Sequence, residues 1–245
     1  MPKYFVNKEN IHQDIVQITG ENFHHIKHVM RYNIDDKLLV SDGDNTDYYC
    51  QIAKVDTETI QATILETIVS DTEPKIDVTL FQPLIKGEKM ELVIQKAVEL
   101  GVSRIIPTYT KRCVVKLDKK VNSKIDRWNK IAEAAAKQSG RGKVPEVTLP
   151  MSFIEALDYA KNNININFIP YENETQSTFK IPTSKIPTSN SFGIFIGPEG
   201  GFEQNEIDLA MQHNVSVITL GKRILRSETA SIVALTIIMH EMGEI

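Results

Sequence analysis

The sequence predicts an α/β protein of two domains, a small β-rich domain over residues 1–72 and a larger α/β domain over residues 73–245. In the first part, short runs rich in Val, Ile and Tyr are separated by turn residues, as in antiparallel sheets. In the second part, apolar strands alternate with segments of helical periodicity, which is typical of a parallel sheet covered by helices. A chain of 245 residues has the length of one or two domains.

Three strands and one helix are predicted in the first domain. The strands span Lys37–Val40, Tyr48–Val55 and Thr59–Leu65, with a turn rich in Asp, Gly and Asn between the first two. The helix is predicted over Glu21–Tyr32, because apolar residues recur there at helical spacing after Thr19, a favourable cap.

The second domain follows a predicted linker at Val69–Pro74. Its predicted elements, in chain order, are strand Ile76–Gln82, helix Glu88–Leu100, strand Arg104–Thr108, a helix within Asn122–Ser139, a helix opened by a capping box at Ser152–Glu155, strand Ile164–Tyr171, strand Phe192–Ile196, helix Glu203–Asn214, strand Val215–Leu220 and helix Glu228–Met242. Residues 172–190 contain two Ile-Pro-Thr-Ser repeats and are predicted to form a loop, since proline is excluded from helix interiors and central strands.

Composition places the chain among ordinary globular proteins. Hydrophobic residues make up 41% and charged residues 24%, which excludes collagen-like, coiled-coil and disordered classes. The two cysteines, Cys50 and Cys113, have no CxxC partner, so we expect no disulfide framework and a cytoplasmic location. No apolar run reaches the roughly 18 residues that a membrane span needs, so we expect no membrane partner.

Charge is distributed unevenly along the chain. The net charge is −4, but residues 1–74 hold 6 basic and 13 acidic side chains, whereas residues 111–143 hold 11 basic and 3 acidic ones. A concentrated basic segment can bind phosphate groups, and it is equally typical of a solvated helix surface. Charge alone therefore leaves both interpretations open.

Two glycine-bearing loops follow predicted strands and are candidates for a ligand site. Gly197–Phe202 follows one strand and Gly221–Arg226 follows the next. Ligands of open parallel sheets bind at such carboxyl ends, where glycines leave backbone groups accessible. Neither loop matches the patterns of nucleoside triphosphatases or dinucleotide enzymes. We predict a shared pocket, with tight structural turns and an Arg226–Glu228 ion pair as the alternatives.

The predicted last helix, which Ser227 or Thr229 can cap, is apolar on nearly all sides. It must therefore be covered by a core or by a dimer interface. His24 and His28 have the i, i+4 spacing of metal ligands. A third ligand is not evident in the sequence, and we expect no metal site.

Several motifs occur in a fixed order: Gln82–Gly87, Gln95–Val102, Gly197–Gly201 and Leu220–Ala230. In the order and spacing of these motifs, the chain resembles the RsmE family over essentially its whole length. The resemblance implies methylation of N3 of a uridine in 16S ribosomal RNA, with S-adenosylmethionine as the methyl donor. It also implies a homodimer with a PUA-like β-barrel at 1–72 and a SPOUT α/β domain at 73–245, whose parallel sheet carries a trefoil knot.

The resemblance further assigns site residues. Those expected to bind S-adenosylmethionine are Gly197, Glu199, Gly200, Leu220, Gly221, Ile224, Leu225, Arg226, Thr229 and Ala230. Because N3 of uridine must lose a proton before it attacks a methyl group, we expect Arg226 to stabilise the uracil oxyanion and Glu199 to act as the base.

The expected partner is 16S ribosomal RNA or the small ribosomal subunit. Since the first domain is acidic, we expect the basic segment 111–143 to supply most phosphate contacts. The candidate RNA-binding residues are Arg31, Arg112, Lys116 and Arg141. Two other functions are considered: a non-catalytic RNA-binding factor of ribosome assembly that keeps a vestigial donor pocket, and a related knotted methylase that acts on transfer RNA.

Overall fold

The structure, a computed structural model, describes residues 1–114, 121–179 and 191–245. The chain forms two compact units. The first comprises residues 1–73 together with 136–144, and the second comprises residues 74–135 and 145–245.

The first unit is built on a mostly antiparallel sheet. Its strands are β1 (Lys3–Phe5), β2 (Ile11–His12), β3 (Ile15–Ile18), β4 (Lys37–Ser41), β5 (Thr46–Val55) and β6 (Ile60–Val69), in the spatial order β1-β4-β5-β6-β3-β2. The β5–β6 register shifts after Tyr49 and after Ile52, and such bulges curl a sheet. The three predicted strands are confirmed. Strands β1 to β3 were not predicted, because runs of two to four residues are too short to show a period of two.

The helix predicted over Glu21–Tyr32 is present, but only its start is α-helical. An α-helical turn, α1 (Gly20–His24), continues into a π-helix over His25–Met30. Thr19 takes the N-cap position without a side-chain hydrogen bond, and Arg31 follows the π-helix with a φ of 57°. Apolar spacing does not separate an α-turn from a π-turn, since both bury one face against the sheet.

A buried lysine holds segment 136–144 in the first unit. Lys3 Nζ donates to Asp47 Oδ2 at 2.7 Å and to the carbonyl oxygens of Gly140 and Arg141 at 2.9 and 3.2 Å. Three acceptors use all three ammonium protons, which satisfies a cation that is only 5% exposed.

Arg141 takes part in the same group of buried hydrogen bonds that holds segment 136–144 in place. The expectation that it binds RNA is therefore corrected. Its guanidinium donates to Glu73 from Nη2 at 2.6 Å and from Nε at 3.2 Å, and its side chain is 5% exposed. Glu73 also accepts from the N–H groups of Gly142 and Lys143, at 3.0 and 3.1 Å. A phosphate cannot reach a guanidinium that is buried and already paired.

Parallel strands form the sheet of the second unit. They are β7 (Asp77–Pro83), β8 (Arg104–Tyr109), β9 (Glu146–Val147), β10 (Met151–Ser152), β11 (Ile166–Pro170), β12 (Ser191–Phe195) and β13 (Val215–Ile218). Their order is β10-β8-β7-β12-β11-β13, with β9 beside β8. Each described pair is parallel, so the carboxyl ends of neighbouring strands share one edge. The predicted parallel sheet is confirmed.

The helices of this part of the chain are α2 (Lys89–Glu99), α3 (Val121–Ser139), α4 (Phe153–Asn163), α5 (Gln204–Gln212) and α6 (Ser227–Glu241). The predicted capping box at α4 is confirmed, because Glu155 N–H donates to Ser152 Oγ at 3.2 Å and Ser152 N–H donates to Glu155 at 2.7 Å. A second capping box, Glu203 with Glu206, opens α5. It was not predicted, since Glu is not a favoured cap residue.

The predicted cap of the last helix is wrong. We expected Ser227 or Thr229 in that role, but the N-cap residue is Arg226, and it makes no side-chain capping bond. Ser227 is the first helical residue, and its hydroxyl donates to the carbonyl oxygen of Gly197 instead.

Among the helices in the described ranges, none has the length and apolar character to cross a membrane. The first part of the predicted loop, residues 172–179, is described. Both Ile-Pro-Thr-Ser repeats lie outside the described residues.

Replacing Glu73 by Gln is expected to lower the free energy of unfolding by roughly 3 to 5 kcal/mol, because the buried Arg141 guanidinium loses its counter-charge. Burial by itself raises the pKa of Glu73, but the charge and hydrogen bonds of Arg141 and two backbone N–H groups outweigh it and hold that pKa below its ordinary value. The stabilisation is therefore complete above a pH of about 4.5 and is lost as the pH falls through the lowered pKa. Urea unfolding at a series of pH values should show the difference between the two proteins shrinking in acid.

Asp44→Asn is the matched control, since it breaks the exposed Lys8–Asp44 ion pair. Exposed pairs contribute little to stability, so its unfolding midpoint should stay close to that of the wild type. Equal effects of the two substitutions would contradict the structural role given to Glu73.

Candidate functional site

A cavity of about 550 Å³ opens at the carboxyl edge of the sheet in the second unit. The glycine loop (Gly197–Phe202) follows β12, the arginine loop (Thr219–Arg226) follows β13, and Pro170–Glu172 lies at the end of β11. All three contribute to its wall, together with Lys89 at the start of α2. They meet because β12, β11 and β13 are adjacent and parallel. The volume is that of a small-molecule site.

Close packing fixes the shape of the glycine loop. Gly201 has a φ of +67°, and its N–H donates to the Pro198 carbonyl at 2.9 Å, which closes a tight turn. A Cβ on Gly197 would lie 3.2 Å from the Phe202 ring, and a Cβ on Gly201 would collide with the Glu172 carboxylate. A residue with a side chain would therefore be strained by the positive φ at position 201 and would press on the Phe202 ring at position 197.

The arginine loop has a different requirement. Gly221 has a φ of +107°, a conformation that L side chains rarely adopt, although a Cβ there would meet no atom within 4 Å. The Thr219 hydroxyl accepts from Gly221 N–H at 3.2 Å, and Thr219 N–H donates to the Ser177 carbonyl at 2.9 Å. The start of the loop is thus anchored, while the space beside Gly221 stays open to a ligand.

A hydrogen bond connects the two loops. Ser227 directly follows the arginine loop, is only 5% exposed, and donates from Oγ to the carbonyl oxygen of Gly197 at 2.8 Å. The separation of the two walls is therefore set by a side chain at the first residue of α6.

Arg112 supports the glycine loop from the turn after β8. Its Nη1 donates to the Gly200 carbonyl at 3.0 Å, and its Nε lies 3.7 Å from Glu203. A Cβ on Gly200 would lie 3.1 Å from Arg112 Cβ, so the two residues are in direct contact. Lys111 reinforces this docking, since its Nζ is 3.2 Å from Glu203 and its N–H donates to Glu206 at 3.0 Å. Arg112 nevertheless keeps 49% of its side chain exposed.

Charged groups of both signs line the cavity. Lys89 Nζ lies 3.3 Å from Glu228 Oε1, and Glu199 accepts from the N–H of Lys86 at 3.5 Å. Glu228 thus pairs with Lys89 rather than with Arg226, the alternative considered from the sequence. Arg226 is exposed at the cavity wall, next to the N-terminus of α6. A ligand that carries both cationic and anionic groups would find complementary charges here.

The structure brings most of the predicted donor-binding residues together. Those in the cavity wall are Gly197, Glu199, Gly200, Leu220, Gly221, Ile224, Leu225, Arg226 and Ala230. Thr229 is exposed in the first turn of α6 and is not part of this wall. The two predicted catalytic residues, Arg226 and Glu199, face the same cavity.

The predicted RNA-binding residues are distributed over both units of the chain. Arg31 is exposed on the first unit, and Arg112 is half-exposed beside the glycine loop of the second. Lys116 lies outside the described residues. Arg141 is buried against Glu73.

Sequence reasoning missed several residues of the wall, including Lys89, Tyr171, Glu172 and Ser227. Tyr171 is the last residue of a predicted strand and Glu172 follows it, so the rule that selected the other loops would have found them. Ser227 lies within a quoted motif but was interpreted as a cap. Lys89 has no local signal, because only the order of the strands brings the start of α2 to this edge.

Comparison with known proteins agrees with this architecture. The family described as the RNA methyltransferase domain matches residues 72–239, and the RNA methyltransferase PUA domain matches residues 18–65. The first match covers the whole cavity. The second lies within the first unit.

Full-length relatives match as well. The ribosomal RNA small subunit methyltransferase E of Bacillus subtilis is 35% identical, over 98% of this chain and 97% of its own length. That of Mesomycoplasma hyopneumoniae is 36% identical, over 96% and 98%. The crystal structure of the Neisseria gonorrhoeae protein of the same name, bound to S-adenosyl methionine, superposes with a TM-score of 0.85 at 28% identity, covering 98% of this chain and 97% of that one. The resemblance to the RsmE family is confirmed, and the chain belongs to the RNA methyltransferase family that includes ribosomal RNA small subunit methyltransferase E.

Proposed function

We propose that this protein transfers the methyl group of S-adenosylmethionine to N3 of a uridine in 16S ribosomal RNA of the small subunit. The observation that carries the proposal is the cavity of about 550 Å³ between the glycine and arginine loops. A protein that superposes on this chain over nearly its full length is bound to S-adenosyl methionine.

The residues of the cavity fit the proposed donor. Leu220, Ile224 and Leu225 supply apolar side chains that would cover an adenine ring, and Ile224 is 86% exposed. The open space beside Gly221 lets a ligand approach the backbone. The carboxylate of Glu199 offers attraction to a positively charged ligand. No metal is needed for this fit.

The chemistry requires alignment and loss of a proton from N3. Bound S-adenosylmethionine would supply an activated methyl group on a positively charged sulfur. Arg226, which lines the cavity, would stabilise the negative charge that develops on the uracil oxygens as N3 loses its proton. Glu199, at the opposite loop, would accept that proton, and the walls would hold the uracil in line for transfer.

We propose that three of the four candidate residues, Arg31, Arg112 and Lys116, contact the RNA. Arg31 is exposed, Arg112 keeps about half of its side chain exposed, and Lys116 belongs to the same basic segment as Arg112. Arg141 is left out because it is buried. We propose that residues 1–72 form a PUA-like barrel that helps to dock the RNA, and that residues 73–245 form the methyltransferase domain.

A trefoil knot of the SPOUT type is part of the proposal. β13 lies at the edge of the sheet, yet α6, which follows it, packs against α2, β7 and β12. The arginine loop therefore has to return across the ends of β11 and β12. Its first residue, Thr219, bonds to Ser177 in the described part of the segment that follows β11, so these two segments touch at the carboxyl edge of the sheet, where such a crossing would lie.

We also propose a cytoplasmic homodimer. On α6, Ile232, Val233 and Ile237 stay partly exposed in the single chain, and these apolar side chains favour a partner surface. The free cysteines Cys50 and Cys113 suit a reducing compartment, where ribosomal RNA is also found.

Incubation with S-adenosylmethionine and either naked 16S RNA or assembled small subunits is expected to add one methyl group to a uridine at N3. Mass mapping of nuclease fragments locates the modified base, and a parallel reaction with transfer RNA serves as the substrate control. Modification of transfer RNA instead would favour the related tRNA methylase. Donor binding without any methylation would favour the assembly factor.

Replacing Arg226 by Ala is expected to lower turnover on ribosomal RNA by about 100- to 1,000-fold, the effect of losing one group that stabilises a developing oxyanion. The Kd for S-adenosylmethionine should change far less, because the arginine acts on the uracil. Steady-state kinetics and calorimetry measure the two quantities separately.

Lys222→Ala is the matched control, since Lys222 is an exposed cation of the same loop that does not line the cavity. Its turnover should stay near that of the wild type. Unchanged turnover in Arg226→Ala would remove this residue from the mechanism.

A further inference from the structure

We infer that Gln82 and Ser227 are positioning residues that hold the two walls of the donor cavity at a fixed separation. The inference rests on the proposed function, because it concerns how the cavity binds S-adenosylmethionine. It assigns a role to a buried row of hydrogen-bonded side chains, Ser231, Gln82 and Ser227, which the sequence analysis left without one.

The chain of hydrogen bonds runs from the centre of the sheet to the cavity wall. Gln82, at the end of β7, accepts from Ser231 Oγ at 2.5 Å and donates from Nε2 to Ser227 Oγ at 3.4 Å. Ser227 Oγ then donates to the Gly197 carbonyl at 2.8 Å. Gln82 and Ser231 are fully buried, and Ser227 is 5% exposed.

Polar side chains between α6 and the sheet are costly to bury, so their presence has to be explained. α6 covers the sheet with Ala234, Leu235 and Ile238, and an apolar residue at position 82 would continue that packing. Burying an amide and two hydroxyls is tolerable only when their hydrogen bonds are satisfied. The remaining Gln82 donor reaches the Pro83 carbonyl at 3.3 Å, so the amide has partners for both of its ends.

The bond to Gly197 is the part of this chain that reaches the ligand site. The Gly197–Pro198 peptide has no N–H, since proline carries none, and it can be oriented only through its carbonyl oxygen. Ser227 supplies the donor for that oxygen. Gln82 in turn occupies one acceptor site of the Ser227 hydroxyl, which directs the hydroxyl proton to Gly197.

The consequence is a preorganised cavity. Gly197 begins the glycine loop and Ser227 directly follows the arginine loop, so this bond connects two segments that are 30 positions apart in the chain. Without it, each wall could shift independently, and a ligand would have to order both walls as it binds. Such ordering weakens affinity without changing the contacts made in the complex.

Ser227→Ala removes the donor and is expected to raise the Kd for S-adenosylmethionine about tenfold, the effect of one lost hydrogen bond. Ser227→Thr keeps a hydroxyl at that position and should restore most of the affinity. Gln82→Met keeps the volume but removes the amide, and it should weaken binding in the same direction. Calorimetry on the full chain measures each Kd, and thermal unfolding without ligand measures stability.

Thr236→Ala is the matched control. Thr236 lies on the same helix, and among the residues that the structure describes its hydroxyl bonds only within α6, to the Ile232 carbonyl at 2.8 Å. Its loss should leave the Kd unchanged.

The outcomes separate this inference from the proposed function. A wild-type protein without affinity for S-adenosylmethionine would contradict the proposed function itself. Wild-type affinity in a folded Ser227→Ala variant would overturn the positioning role. If that variant does not fold, Gln82→Met decides: weaker binding at a native unfolding temperature supports the role, and unchanged binding overturns it.

Discussion

A hydrogen bond of 2.8 Å from Ser227 to the Gly197 carbonyl joins the two loops that form the cavity. It can form only because the neighbouring parallel strands β12, β11 and β13 end at the same edge of the sheet and α6 packs against β7 and β12. The order of the strands thus brings distant segments together, and one side chain sets their separation. The glycines and the charged residues of the wall depend on that arrangement.

Residues outside the cavity support the glycine loop. Arg112 and Lys111 dock the glycine loop and the start of α5 through Glu203 and the Gly200 carbonyl. Since both cations come from the basic segment, residues that shape the donor cavity are direct neighbours of residues expected to contact RNA. If the proposed function holds, donor binding and RNA binding would share a structural element in the second unit.

Much of this architecture could be predicted from the sequence. Alternating strands and helices gave the parallel sheet, and the rule on strand ends selected both glycine-bearing loops. The charge pattern does not show which basic side chains are buried. It therefore predicts an RNA contact for Arg141, which in the structure is the buried partner of Glu73. The role of Ser227 was missed because a serine at a helix start usually caps its own helix, and the competing acceptor comes from a loop that only the fold brings near.

Hydrogen exchange of the backbone amides, with and without S-adenosylmethionine, tests most directly whether the two loops form one donor site. The account predicts that the donor slows exchange in residues 199–202 and 220–226 together, while exchange in residues 1–73 stays the same. Protection confined to one of the two loops, or centred on the first unit, would contradict it.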